Sequence, residues 1–155
     1  MDNNSKDSKG AANYLGTFLI EACEDSVMRS LPSDKSNISG EKGAPERVNI
    51  VILKISGTID LLTSSEFQKY SLDYIAKGFK YFFLDFTKLD FIDSMGLSTV
   101  LMLYQKIYEA DGALSIINPK PSIMVVLKIT KVNQKILVFN TIDEAKAHVS
   151  GGGHK

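Results

Sequence analysis

The stretch FIDSMGLSTVL, from Phe91 to Leu101, places a short polar step between two apolar segments. It follows YFFLDFT at 81–87, an aromatic and apolar run that predicts a buried strand, and it leads into residues 95–111, whose spacing predicts a helix. Asp93 and Ser94 therefore fall where a helix begins, where backbone N–H groups lack partners and the dipole favours negative charge. A hydroxyl there can be a helix cap, a nucleophile or a phosphate acceptor.

The predicted helix has one apolar face and one mostly polar face. At about 100° per residue, the apolar face comprises Leu97, Val100, Leu101, Tyr104, Ile107 and Tyr108. The opposite face comprises Met95, Ser98, Thr99, Met102, Gln105, Lys106 and Glu109. Because methionine adapts to irregular surfaces, the two methionines on this second face either lie under a neighbouring segment or contact a partner.

Strands and helices alternate from Val48 onward, which predicts an α/β fold. Four apolar strands are predicted at 48–59, 81–87, 113–118 and 136–139, with a short edge strand at 14–23. Four helices are predicted. The first starts with the capping-box spacing of Thr63 and Glu66 and stops at Gly78. The others are the helix at 95–111, a short helix that starts at Pro121, and the C-terminal TIDEAKAHV. Apolar strands joined by short links predict a mostly parallel mixed central sheet of about four or five strands covered by helices.

Composition divides the chain into one domain and its polar segments. Residues 1–13 are polar and predict a disordered N-terminal tail, and 150–155 predict a flexible C-terminal one. Residues 28–46, dense in Ser, Gly, Pro and charge, predict an unusually long loop. We expect a single domain over 14–149 with its core at 48–149.

Charge and cysteine content exclude several classes of function. Of 155 residues, 18 are Lys or Arg and 18 are Asp or Glu, so no net charge favours capture of nucleic acid or of an anionic membrane. Cys23 is the single cysteine and cannot form an internal disulfide, and the two histidines, His148 and His154, lie far from any acidic cluster. No apolar run approaches the roughly 20 residues that span a bilayer. We expect a soluble cytoplasmic protein without metal or cofactor.

Catalysis at Ser94 has little support in the residues. FIDSMGL is not the G-x-S-x-G of serine hydrolases, and the chain has no G-x-x-x-x-G-K-[ST] phosphate loop. An N-cap formed by Asp93 or Ser94, worth about 1 kcal/mol, is the simplest role. A phosphate on Ser94 would add about −2 charge at the positive end of the helix, which the fold could tolerate while an acidic partner surface would be repelled.

The ordered set of motifs resembles the STAS domain of bacterial anti-sigma factor antagonists. In that family an apolar pair precedes Asp-Ser-Ser/Thr-Gly-Leu, and here LDFIDSMGLSTVL follows an apolar strand and precedes DGAL. ISGTID at 55–60 is similar to the family's Leu-x-Gly-Glu-Leu-Asp signature. The Pro-led helix, the ILVF strand and the DEA helix follow in family order. The resemblance covers 48–149 and implies the STAS fold.

The resemblance implies partner switching by a protein that is not an enzyme. The unphosphorylated protein would bind an anti-sigma factor that is also a serine kinase, and so release a sigma factor. Phosphorylation of Ser94 by that kinase would break the complex, and a phosphatase would remove the phosphate from Ser94 and restore binding. We expect a monomer or weak dimer. The implied partner-binding residues are Asp60, Leu61, Thr63, Asp93, Met95, Gly96, Ser98, Thr99 and Met102.

Several positions depart from the family pattern. Met95 replaces the usual second hydroxyl, Lys131 stands where the family often has glycine, and the loop at 28–46 replaces a tight turn. The helix SIMVVLKI at 122–129 is apolar almost all round, with Met124 and Val125 at positions expected to be charged. Such a helix is either covered by the long loop, the alternative we favour, or forms a contact surface.

Two alternative functions stay open. The chain could be a non-switching STAS scaffold, or a subunit of a signalling assembly or transport complex, in which Ser94 is only a cap and the Pro121 helix is an interface. A nucleotide-hydrolysing enzyme ranks last, because no phosphate loop is present.

Overall fold

The computed structural model describes residues 18–30 and 45–151. The predicted N-terminal tail, residues 31–44 of the predicted loop and residues 152–155 lie outside the described residues. The elements in chain order are β1 (Phe18–Arg29), β2 (Glu46–Ile59), α1 (Ser64–Ala76), β3 (Tyr81–Ile92), α2 (Ser94–Glu109), β4 (Ala113–Ile117), α3 (Pro121–Ile129), a 3-10 turn (Val132–Gln134), β5 (Leu137–Phe139) and α4 (Ile142–Ser150).

The five strands form one sheet in the order β1-β2-β3-β4-β5. β1 pairs antiparallel to β2, and the remaining pairs are parallel. The predicted α/β class and the mostly parallel mixed sheet are therefore confirmed. Helices connect the parallel strands because a parallel pair needs a long crossover.

Apolar side chains pack on both faces of this sheet. The larger cluster joins the sheet to α1, α2 and α3, and includes Phe67, Val100 and Leu127. The smaller cluster joins the other face to α4 through Ala145 and Val149. Strands covered on both faces explain why the central segments are continuously apolar in the sequence.

The edge strand was predicted with the wrong bounds. β1 continues to Arg29, and Met28 and Arg29 pair with Arg47 and Glu46. Both ends of the predicted loop at 28–46 therefore belong to strands: residues 28 and 29 lie in β1, and residue 46 lies in β2. Antiparallel pairing with β2 continues to Arg29 and decides the conformation of this polar segment, and the Arg29 guanidinium also donates a hydrogen bond to the Tyr81 hydroxyl at 2.7 Å.

The predicted apolar face of α2 is only partly right. Leu97, Val100 and Ile107 are buried as expected, but Tyr108 is exposed. Thr99, predicted on the polar face, is buried, and so is Leu103, which was absent from the predicted face. The reason is that α2 packs against both the sheet and α1, so its buried surface is wider than one stripe.

The apolar helix α3 is buried on one side only. Ile123 and Leu127 are buried, whereas Val125 and Ile129 are exposed. The segment expected to cover this helix falls largely outside the described residues.

Two predicted helix ends involve left-handed backbone. Gly78, predicted to stop α1, has a φ of 96°. Lys131, just after α3, has a φ of 63°, a region that L-residues avoid because Cβ approaches the following carbonyl oxygen. This backbone explains why a glycine would suit position 131.

Replacing Lys131 with Gly should raise the free energy of unfolding by about 0.5–1 kcal/mol, since relief of the left-handed conformation exceeds the entropy that glycine loses on folding. Chemical denaturation measures the change. Lys128→Gly, within α3, is the matched control and should lower stability by about 1 kcal/mol. A loss of stability in Lys131→Gly would contradict the proposed strain.

Candidate functional site

Asp93, rather than Ser94, caps helix α2. Its backbone is extended, and its Oδ1 accepts a hydrogen bond from the Gly96 backbone N–H at 2.9 Å. This satisfies one of the N–H groups that lack a partner in the first turn of the helix. Ser94 is the first residue of α2, and its side chain is exposed. The cap and the exposed hydroxyl are thus two separate residues.

The other oxygen of the Asp93 carboxylate holds the loop that follows β2. Asp93 Oδ2 accepts a hydrogen bond from the Leu61 N–H at 3.2 Å, and the Asp93 N–H donates to the Ile59 carbonyl at 3.1 Å. One side chain therefore joins the start of α2 to the β2–α1 loop, residues 60–63, although these segments are more than thirty positions apart in the chain.

Asp60 organises the same loop from within. Its Oδ1 accepts hydrogen bonds from the N–H groups of Leu62 at 2.9 Å and Thr63 at 3.2 Å. An aspartate that binds the backbone two residues ahead is typical of a tight turn. Asp60 thus lies in the loop whose Leu61 N–H reaches Asp93, and its Oδ1 is engaged by that loop itself.

The capping box predicted for Thr63 is wrong. Thr63 occupies the N-cap position of α1, but its side chain makes no capping hydrogen bond. Its hydroxyl instead donates to the Thr58 carbonyl at 2.8 Å and accepts from the Asp60 N–H at 2.9 Å. The tight turn thus competes with the helix for the hydroxyl, as short polar side chains commonly do.

Gly96 is required by close packing. A Cβ at this position would lie 2.7 Å from the Ile59 carbonyl oxygen and 2.7 Å from Ile92 Cγ1. The first turn of α2 therefore sits directly on the ends of β2 and β3. Such contact leaves no room for any side chain.

Exposed apolar side chains lie next to Ser94 in the chain and in the β2–α1 loop that Asp93 binds. We call Leu61, Leu62, Phe91, Ser94 and Met95 the Ser94 surface, all of them exposed. Leu61 and Leu62 are 66% and 69% exposed, which is unusual for two adjacent leucines in a hydrogen-bonded loop. Exposed apolar clusters mark interaction sites. Phe91 and Leu62 were not among the predicted partner-binding residues, although both are apolar residues beside the motifs.

The remaining predicted partner-binding residues divide by burial. Ser98 is exposed. Of the two methionines on this face of α2, Met95 is exposed and Met102 is half-buried. Thr63, Gly96 and Thr99 are buried, and Thr99 Oγ1 donates to the Met95 carbonyl at 3.1 Å. These three residues pack inside the protein, and their contact with a partner stays a prediction.

The described residues contain no group of three side chains that could hold a metal ion. None of the helices in the described part of the chain is long and apolar enough to cross a membrane.

Comparison with known proteins finds one family and several solved relatives. The family model of the STAS domain matches residues 42–145, which is more than half of the chain. A candidate anti-sigma factor antagonist of Thermotoga maritima is 24% identical over 102 residues, which cover 65% of this chain and 90% of that protein.

Two solved structures share the fold. The crystal structure of a candidate anti-sigma factor antagonist from Thermotoga maritima matches with a TM-score of 0.60 and 25% identity, over 64% of this chain and 86% of that one. The Bacillus cell fate determinant SpoIIAA in its phosphorylated form matches with a TM-score of 0.53 and 22% identity, over 64% of this chain and 90% of that one.

Gly96→Ala should lower the free energy of unfolding by about 1–3 kcal/mol, because the added methyl group must displace backbone and core atoms. Thermal or chemical denaturation measures the effect. Gly151→Ala is the matched control: its Cβ would lie 3.4 Å from the Ala147 carbonyl oxygen, so stability should stay within about 0.5 kcal/mol. Equal effects of the two substitutions would refute the packing role of Gly96.

Proposed function

We propose that this chain, which belongs to the STAS domain family, acts as an anti-sigma factor antagonist that is switched by phosphorylation of Ser94. It would bind an anti-sigma factor serine kinase in the cytoplasm, release a sigma factor, and be reset by a phosphatase. The observation that carries the proposal is the exposed hydroxyl at the first position of α2, set among exposed apolar side chains.

The apolar part of the Ser94 surface supports protein binding. Leu61 and Leu62 lie in a loop that hydrogen bonds hold in place. The Leu61 N–H donates to Asp93, and the Leu62 N–H donates to Asp60. A rigid loop loses little conformational freedom when a partner covers it, which favours binding. Met95 adds a flexible apolar contact one residue from the hydroxyl.

The charges near Ser94 support a switch. Because Asp93 already accepts the Gly96 N–H, Ser94 does not need its hydroxyl to cap α2. The positive end of the helix dipole would partly offset a phosphate in the free protein. In a complex, the same phosphate would place about −2 charge in an interface that already holds Asp93 and exposed leucines, at a cost of several kcal/mol.

SpoIIAA, which shares the fold, has been solved in phosphorylated and unphosphorylated forms. A phosphate is therefore compatible with this architecture. That precedent, together with the position of Ser94, supports phosphorylation as the switching event here.

A non-switching scaffold, or a subunit of a signalling assembly or transport complex, is the second candidate. It is favoured by the exposure of Val125 and Ile129 on α3, a surface that the Ser94 switch does not use. In this role Ser94 would be exposed without being modified.

Substitutions of Ser94 test the proposal. Ser94→Ala should bind the cognate kinase, and Ser94→Asp should bind at least about 30-fold more weakly, because a fixed carboxylate enters the interface. Titration calorimetry against each serine-kinase-type anti-sigma factor encoded in the same genome measures the affinity.

Thr141→Asp is the control. Thr141 caps α4, which packs on the opposite face of the sheet, and Asp also caps helices well. The added charge there should leave binding unchanged. If Ser94→Ala and Ser94→Asp bind equally, the switch is contradicted and the scaffold function is preferred.

A further inference from the structure

The segment that contains α3 is locally basic in a chain without net charge. From Gly112 to Ile142 the sequence contains four lysines and neither Asp nor Glu, whereas the whole chain has 18 basic and 18 acidic residues. The lysines are Lys120, Lys128, Lys131 and Lys135. A surface built from this segment therefore attracts acidic groups.

Apolar side chains are exposed on the same helix. Val125 is 54% exposed and Ile129 is 74% exposed, the highest value among the exposed large apolar side chains of the described residues. Positions four apart lie side by side on a helix, so these two form one stripe. Their neighbours Ile123 and Leu127 are buried against the core, which fixes the side of α3 that faces outward.

Lysines border this stripe without acidic partners. Lys120 forms an ion pair with Asp90 at the start of α3, but Lys128 and Lys131 take part in none of the ion pairs of the described residues. Both are exposed. Lys131 also keeps its charge at a left-handed position where glycine would be less strained. We call Val125, Lys128, Ile129 and Lys131 the α3 surface.

We propose that the α3 surface docks an acidic amphipathic segment of another protein. Aliphatic residues of that segment would cover Val125 and Ile129, while its carboxylates would pair with Lys128 and Lys131. This arrangement matches a helix that carries Asp or Glu beside a Leu- or Ile-rich face. The α3 surface shares no residue with the Ser94 surface, so the contact does not use Ser94.

The charges argue against a second copy of this chain as the occupant. A two-fold contact would bring the α3 surface against itself, so it would concentrate the lysines of both copies and supply no carboxylate from residues 112–142. Like charges in an interface cost free energy.

A protein segment also fits better than an anionic membrane. α3 exposes two aliphatic side chains and contains no aromatic residue. Helices that lie in a membrane interface bury a large apolar face that commonly carries Trp, Phe or Leu.

Two model peptides test the proposal. One peptide of about 18 residues has Leu and Glu at amphipathic helical spacing, and the other has Lys in place of Glu. Fluorescence anisotropy should show the wild-type protein binding the acidic peptide at least about fivefold more tightly than the basic one. Two double variants test the two parts of the α3 surface: one combines Val125→Ser with Ile129→Ser, and the other combines Lys128→Gln with Lys131→Gly. Each should weaken binding of the acidic peptide about fivefold or more. A melting curve establishes that each variant is folded.

Leu61→Ser with Leu62→Ser is the matched control, since these leucines are equally exposed but belong to the Ser94 surface. This control and Ser94→Asp should leave peptide binding unchanged.

The proposal is overturned if neither peptide binds, if both bind equally, or if the α3 variants bind like wild type. Dimer formation that the α3 variants abolish would assign the surface to a second copy. If the protein binds phosphatidylcholine vesicles with about 30% phosphatidylserine more tightly than it binds the acidic peptide, the α3 surface is assigned to membranes.

Discussion

The Asp93 carboxylate is the interaction on which the functional edge of this protein depends. One oxygen caps α2 through the Gly96 N–H, and the other holds the Leu61 N–H of the β2–α1 loop. Gly96 lets that first helical turn rest on the Ile59 carbonyl. A charged acceptor shared between two backbone donors is stronger than a neutral one, so it fixes the loop and the helix in one geometry. The position of Ser94 relative to Leu61 and Leu62 follows from that geometry.

This arrangement separates the tasks of stability and switching. Asp93 stabilises the junction by its two hydrogen bonds and Gly96 by its close packing, whereas the side chains of Ser94, Leu61 and Met95 are exposed. A modification of Ser94 can therefore change what binds the surface without breaking the contacts that build it. The α3 surface, if it docks an acidic segment, would hold a partner by other contacts while the Ser94 surface changes its charge.

The sequence predicted the fold well because its signals there are local and repeated. Apolar runs marked β2, β3 and β4, and the Asp-Ser pair marked the start of α2. What sequence reasoning missed depends on contacts between distant residues. The hydroxyl of Thr63 binds within its own loop, Thr99 is buried because α2 meets α1, and β1 continues to Arg29 because it pairs with β2. Phe91 lay outside the strand predicted at 81–87, whereas β3 continues to Ile92 and leaves Phe91 exposed.

The central claim is that Ser94 accepts a phosphate. Its most direct test is the intact mass of the protein after incubation with ATP and each candidate anti-sigma kinase from the same genome, followed by mapping of the modified residue. The account predicts one added phosphate, on Ser94, and none in Ser94→Ala. A phosphate on another residue, or no phosphate with any of these kinases, would contradict it.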